Sequence, residues 1–209
     1  MNTDVAGRVR NVQPPTSKPL LPLFEAVINS IQAIEDSQRK DGRIEIEVLR
    51  DASLFNSDHL PGEIIGFLVR DNGIGFNDQN FDAFTTSDTT YKLSRGGKGI
   101  GRFMWLAAFD HAEVESVFLA DGKIKCRRFT FCARGTGIES SNCAEIHDRD
   151  PETIVRLVGF KDKYQTQCPK RLETIAAYVV EEFLEYFISP DPPVMTLRDG
   201  ASGRDDLTR

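Results

Sequence analysis

The sequence predicts one α+β domain, and three observations carry that reading. Apolar residues recur with a helical period at Leu20, Phe24, Val27, Ile28, Ile31 and Ile34. Residues 43–50 alternate polar and apolar, as a half-buried strand does. Residues 112–119 and 123–132 read as two strands around an Asp121-Gly122 turn, a strong hairpin signal. Helical and strand patterns are thus interleaved within 209 residues, enough chain for a single domain with a substantial core.

The first helix begins near Pro19 or Pro22, where proline is tolerated because first-turn N–H groups have no intrahelical partner. Its apolar stripe takes one side, while Ala26, Ser30 and Ala33 lie around the rest. Glu25 is the only charge between Lys18 and Glu35, so the helix is expected to be covered on most sides. Glu25, Asn29 and Gln32 fall at i, i+4 and i+7, a second line of polar groups along one edge. A carboxylate placed there needs a partner, water or a ligand, since an unpaired buried charge is costly. On this helix alone, a satisfied hydrogen-bond network explains the line as well as a chemical site does.

The strand at 43–50 puts Arg43, Glu45 and Glu47 on one face. Residues 64–69 are an apolar run that reads as a buried strand and leads straight into Arg70-Asp71-Asn72-Gly73-Ile74-Gly75-Phe76. Asn-Gly and the second glycine force a tight turn. That turn leaves the Asp71 carboxylate at the strand end and opens the bare backbone of Gly73 and Gly75 to a flat ligand. A hairpin on the Asn-Gly pair would need a partner strand directly afterwards. Asn77-Asp-Gln-Asn-Phe-Asp82 follows instead, polar and without strand pattern.

A third segment, Gly96-Gly97-Lys98-Gly99-Ile100-Gly101, opens a compact apolar helix from Arg102 to about Phe109. A glycine loop feeding a helix N-terminus offers free N–H groups and the positive end of the helix dipole to a phosphate, and Lys98 adds a positive charge. The spacing is not that of a P-loop, which needs four residues between its first glycine and Gly-Lys-Ser/Thr. Nor does the loop follow a first βα turn with a ribose acid downstream, as a dinucleotide-binding fold requires.

Helix Glu25-x-x-x-Asn29, then Asp71-x-Gly73-x-Gly75, then Gly96-x-x-Gly99-x-Gly101, in that order, resembles the GHKL ATPase superfamily, which includes the ATPase subunit of gyrase, the heat-shock chaperone of the same fold, sensor histidine kinases and MutL proteins. The resemblance covers roughly residues 17–160. It implies a two-layer α/β sandwich, with a mixed, largely antiparallel sheet covered on one face by helices (the Bergerat ATP-binding fold), and ATP and Mg²⁺ as cofactors. It further implies that Glu25 is catalytic and polarises the attacking water, that Asn29 holds Mg²⁺, and that Asp71 accepts from the adenine amino group. Gly73 and Gly75 would shape the adenine wall, Gly96, Gly99 and Gly101 would wrap the phosphates, and Thr153 would assist adenine binding through water. Ala33, Phe76, Gly97, Lys98, Ile100 and Arg102 complete the implied nucleotide-binding set. Gln32 stands where the family often has an acid, and Glu152 where it usually has glycine.

Residues 81–95, rich in hydroxyls and charge and without a clean period, look like the family's ATP lid, which spans about 76–97 in this chain. A segment that closes over ATP should have low local stability. Lys92 and Arg95 either reach phosphates on closure or simply solvate the loop. Residues 135–150 read as loop, 154–160 as strand, and 169–188 as an amphipathic helix with Leu172, Ile175, Ala176, Val179, Val180, Phe183, Leu184 and Phe187 inward. That late helix resembles the layout of the heat-shock chaperone's ATP domain more than that of the kinases. Residues 1–16 are expected to be an N-terminal arm, 17–189 the ATP-binding domain, and 190–209, rich in Pro, Gly, Asp and Arg, a linker or chain end.

Net charge of -6 argues against an obligatory nucleic-acid surface. No run is long enough to span a membrane, and the first residues lack a signal-peptide core, so a cytoplasmic location is expected. The four cysteines show no metal or redox spacing, and the three histidines stand in no catalytic motif. In several family branches a γ-phosphate-binding lysine comes from a following domain. The expected partners are therefore ATP and ADP, a downstream domain of the same polypeptide, and a second copy in an ATP-dependent homodimer. The rival classes are a histidine-kinase catalytic domain, disfavoured by a glutamate at position 25, and a nucleotide sensor without turnover.

Overall fold

The computed structural model describes residues 5–51, 62–86 and 101–200. The chain forms a two-layer α+β sandwich around one mixed, mostly antiparallel sheet of strand order β5-β4-β3-β6-β2-β1-β7. The strands are β1 (Arg43–Arg50), β2 (Ile64–Asp71), β3 (Phe109–Ala120), β4 (Lys123–Cys132), β5 (Ile138–Glu145), β6 (Glu152–Phe160) and β7 (Val194–Gly200). The helices are α1 (Val5–Asn11), α2 (Leu21–Ser37), α3 (Asp78–Thr85), α4 (Gly101–Ala108), α5 (Asp162–Gln165), α6 (Leu172–Glu182) and α7 (Leu184–Phe187).

Alternation decides the layering. Ile44, Ile46 and Val48 of β1, Phe67 and Val69 of β2, Val155 and Leu157 of β6, and Phe129 and Phe131 of β4 turn toward the helices and join Leu23, Val27, Ile31, Phe103 and Leu106 in one core. On the opposite face the partners are ionic. Arg198 meets Glu47 at 3.0 Å, Arg70 meets Glu152 at 3.0 Å, and Arg149 and Arg128 reach Glu115 at 2.7 and 2.6 Å. Such pairs contribute little stability each, and they share that face with a small buried cluster of Leu49, Leu68 and Ile154. β3 and β4 form the expected hairpin, with Asp121 at φ 54° and Gly122 at φ 72°, the left-handed pair that a two-residue turn requires.

Several sequence expectations are corrected. Within the range read as loop, β5 pairs with β4. Seven of its eight residues are exposed and polar alternation is absent, so only backbone pairing makes it a strand. The lid range begins with an ordered helix, α3, capped by the Asn77 side chain accepting from Asn80 N–H at 2.9 Å. Phe81 and Phe84 of α3 pack edge-on against Phe129, Phe131 and Phe76, a two-turn pattern too short to show a period. The remainder of the expected lid, with Lys92 and Arg95, lies outside the described residues.

The domain also reaches beyond the expected 17–189 at both ends. In the N-terminal arm, Val5 and Val9 of α1 are buried in the core. In the expected linker, β7 runs parallel to β1 and tucks Met195 and Leu197 against the core. The late amphipathic helix breaks at Phe183 (φ -106°, ψ 18°). The inward face is narrower than expected: Ile175, Val179 and Phe183 are buried, whereas Val180, one position round the helix from Val179, and Leu184, just past the break, are 50% and 55% exposed. Among the described residues no helix is long and apolar enough to cross a membrane.

Candidate functional site

Helix α2 is the axis of the site. Glu25, Asn29 and Ala33 follow one another at i, i+4 and i+8, all half-buried, on a helix whose other sides are closed by Leu23, Ala26, Val27, Ser30 and Ile31. Near the first of them stands the start of α4. A side chain at Gly101 would collide with the Glu25 carboxylate, so the bare Gly101 backbone lies directly against that group. Burial pushes the Glu25 carboxyl above its usual range, and the negative charge of Glu182 at the end of α6 pushes it further. Phe24 meets Phe183 edge-on at 5.8 Å, which brings the end of α6 to this turn of α2.

At the other end of the line, Ala33 carries the Asp-Asn-Gly turn. Ile74 N–H donates to the Ala33 carbonyl at 3.0 Å, and a Cβ on Gly73 would lie 2.5 Å from the Ala33 carbonyl carbon. Glycine is therefore demanded by close approach of two backbones. Gly73→Ala is expected to destabilise the fold by about 1–3 kcal/mol, because backbone, unlike a flexible side chain, cannot step aside. A urea melt reads this directly. Gly75 needs its freedom for a different reason, a φ of 75° with Ser116 and Phe118 beneath it.

Asp71 ends β2 beneath α2 and is 5% exposed. Ser30 Oγ donates to its Oδ2 at 2.8 Å, and Gly73 N–H donates to its Oδ1 at 2.9 Å. Burial drives its carboxyl up to about 7; the two hydrogen bonds pull it down and the charge of Glu152 raises it again. Asn72 braces the turn. Its Nδ2 donates to the Asp41 carbonyl at 3.0 Å and its Oδ1 accepts Arg43 N–H at 2.8 Å, tying the turn to the start of β1. Thr153, on β6, is buried and sits opposite Asp71 in the β2–β6 register.

Phe76 and Arg102 are held by the aromatic cluster. Phe76 packs against Phe84 and Phe129, and the Arg102 guanidinium lies over the rings of Phe84 and Phe103 and donates to the Thr86 carbonyl at 3.3 Å. Gly96, Gly97, Lys98, Gly99 and Ile100 lie outside the described residues. The structure thus brings Glu25, Asn29, Ala33, Asp71, Gly73, Gly75, Gly101 and Thr153 around α2 and the strand ends below it.

Three residues of the site escape sequence reasoning. In the sequence Ser30 reads only as filler around the helix, yet it holds Asp71. Ser116, in mid-strand, accepts Phe76 N–H at 2.8 Å. Arg127, buried in β4, donates to the Phe76 and Asn77 carbonyls at 2.8 and 3.0 Å and pairs with Asp78, clamping the chain that leaves the turn. None carries a motif. The only trace in the sequence is at Ser116, a polar residue among the inward Ala112, Val114 and Phe118 of its strand; Arg127 follows Lys123 and Lys125 at the same alternate positions and does not stand out. A separate cavity of about 320 Å³ lies between the C-terminal turn of α2 and the residues before β7, lined by Ile31, Ile34, Glu35, Tyr186 and Pro193, and includes none of these groups.

Compared with family models, the chain finds no match, and a search of the curated proteins finds none either.

Proposed function

We propose that this chain is a GHKL-type ATP-binding and ATP-hydrolysing domain, acting in the cytoplasm as an ATP-driven conformational and dimerisation switch within a longer protein. The observation that carries the reading is convergence on α2. The glycine turn after Asp71 packs on Ala33, and the last glycine of the phosphate-type loop abuts Glu25, so segments far apart in sequence form neighbouring walls of one site.

In this reading the adenine amino group donates to Asp71, the bare backbone of Gly73 and Gly75 flanks the base, and the amides from Gly96 to Gly101 with Lys98 receive the phosphates. Glu25 orients the attacking water and takes its proton at a carboxylate oxygen while the water oxygen bonds the γ-phosphorus and the bridging P–O bond breaks. Its raised basicity suits that role. Among the described residues no cluster of three or more His, Cys, Asp or Glu could hold a metal by itself. The Asn29 amide oxygen is a hard donor of the kind Mg²⁺ accepts when most of its shell is phosphate and water, so the residues fit that ion. When bound, Mg²⁺ neutralises charge on the triphosphate.

Titration calorimetry with Mg-ATP and a phosphate-release assay test the proposal together. Binding with turnover supports it. Binding without turnover leaves a nucleotide sensor, and absence of binding removes the family reading.

A further inference from the structure

Five of the seven large apolar side chains that stand exposed among the described residues fall within 178–194: Tyr178, Val180, Leu184, Ile188 and Val194. Apolar residues scattered singly over a surface need no cause, but a concentration of them does. Val180, Leu184 and Ile188 follow one another at intervals of four along α6 and α7. Hydrogen bonds from Phe183 N–H to the Val179 carbonyl and from Ile188 N–H to the Leu184 carbonyl carry the helical path across the break. A row at that interval is the ridge by which one helix packs against another. The core already uses the neighbouring Ile175, Val179 and Phe183, so this second row is left over.

The charges around the row have one sign. Between Arg171 and Arg198 the chain carries Glu173, Glu181, Glu182, Glu185 and Asp191 and no Lys, Arg or His. All five acids are exposed, and none forms an ion pair among the described residues. The open face of the sheet differs, since its carboxylates are matched by arginines. Helix α6 even ends on Glu181 and Glu182 with no basic residue in its last turn, where the negative end of the helix dipole disfavours them. Cations stand only at the two ends of the segment. Lys170 and Arg171 precede α6, with Lys170 paired to Glu63, while Arg39 and Lys40 share a cavity with Asp191, and Arg39 is held by Asp41 at 2.8 Å.

We propose that the outer face of α6 and α7 is a docking surface for a basic amphipathic helix of a partner protein. The apolar stripe of that helix packs on Val180, Leu184 and Ile188, and its Lys and Arg residues face Glu181, Glu182 and Glu185. Charge selects this occupant over the others. A second copy would set the same acidic face against itself across a twofold axis. Nucleic acid and an anionic lipid surface both call for basic residues that this face lacks. Phe183 meets Phe24 at 5.8 Å, so the surface is joined by direct packing to the helix that bears Glu25.

The probe is a synthetic amphipathic helix of about 18 residues, leucine along one face and lysine on the other, labelled and titrated with the protein at physiological salt by fluorescence anisotropy. Wild type should bind it saturably. Leu184→Ser, and separately the triple variant Glu181→Gln, Glu182→Gln, Glu185→Gln, should each weaken binding about tenfold, because one truncates the centre of the row and the other removes the complementary charge. Asp121→Asn, Glu139→Gln, Asp148→Asn removes the same number of charges around β4 and β5, and should change affinity by no more than about twofold if the site is local. Equal weakening by the two triple variants would mean general attraction to an acidic protein and overturns the proposal. So do absence of binding, a Leu184→Ser variant that binds like the wild type, and a peptide with glutamate in place of lysine that binds as tightly. Sedimentation supplies the remaining arm: a wild-type dimer that Leu184→Ser makes monomeric would show that a second copy, and not a basic helix, covers this face.

Discussion

Asp71→Asn is expected to abolish nucleotide binding while leaving the fold in place. The amide matches the carboxylate in shape: its oxygen can keep Gly73 N–H, and the Ser30 hydroxyl can rotate to accept from its nitrogen. What disappears, on the nucleotide reading proposed above, is the acceptor charge that would meet an amino donor on the base, and one end of the group becomes a donor itself. Affinity should drop at least about a hundredfold, the loss of a charge-assisted hydrogen bond plus a donor facing a donor. Calorimetry with Mg-ATP reads this, and a variant that binds like the wild type would remove Asp71 from the site.

The same substitution has a second consequence, in the ligand-free protein. The Asp71 carboxyl titrates at about 7 in the fold against an ordinary value of 3.8, so between those values the folded state holds the extra proton. Its stabilising contribution is complete below the lower value and is lost as pH rises through the upper one. Burying the ionised carboxylate costs on the order of 2–4 kcal/mol above that window, and asparagine does not bear the cost. Urea melts across the window should show the stability of the wild type falling relative to that of the variant as pH rises, since the other shifted carboxyls are common to both. On the alkaline side Asp71→Asn should equal or exceed the wild type.

Glu25→Ala should retain nucleotide and lose turnover. Phosphate release is expected to fall about 10²–10⁴-fold, the usual contribution of a positioned proton acceptor. Glu25→Gln should fall nearly as far, since it keeps the shape and hydrogen bonding and loses only the basicity. Because burial and Glu182 raise the Glu25 carboxyl, wild-type turnover should decline on acidification above the ordinary carboxylate range, as Glu25 takes up a proton and can no longer accept one. Steady-state phosphate release across pH, with binding measured in parallel, checks both. A glutamine variant that turns over normally would mean that Glu25 only fills space beside Gly101.

The elements that sequence places well are those with long, clean periods. Seventeen residues of α2 and the β3–β4 hairpin with its Asp-Gly turn announce themselves because burial on one face imposes a repeat on every residue. The elements it misses, α3, β5 and β7, are short or lie at an edge. β5 and β7 end the sheet, where pairing on one side suffices; β5 does not alternate, and in β7 only Met195 and Leu197 do, too few to stand out among the prolines and charges around them. Breaks such as that at Phe183 are equally hidden, since they depend on what the helix meets and not on its own composition.

For the candidate site the division is sharper. Sequence alone determined which residues are chemically equipped: a solitary carboxylate on an apolar helix, an acid before an Asn-Gly turn, and glycines ahead of a helix. Their types follow from local requirements of helix period and backbone freedom, and these are written residue by residue. Only tertiary structure decided that Gly73 is glycine because Ala33 lies against it, that Ser30 holds Asp71, and that Ser116 and Thr153 share a proton across two strands. Each of those joins residues tens of positions apart, and the hydrogen bond or close contact that selects them exists only after the sheet and α2 have packed together.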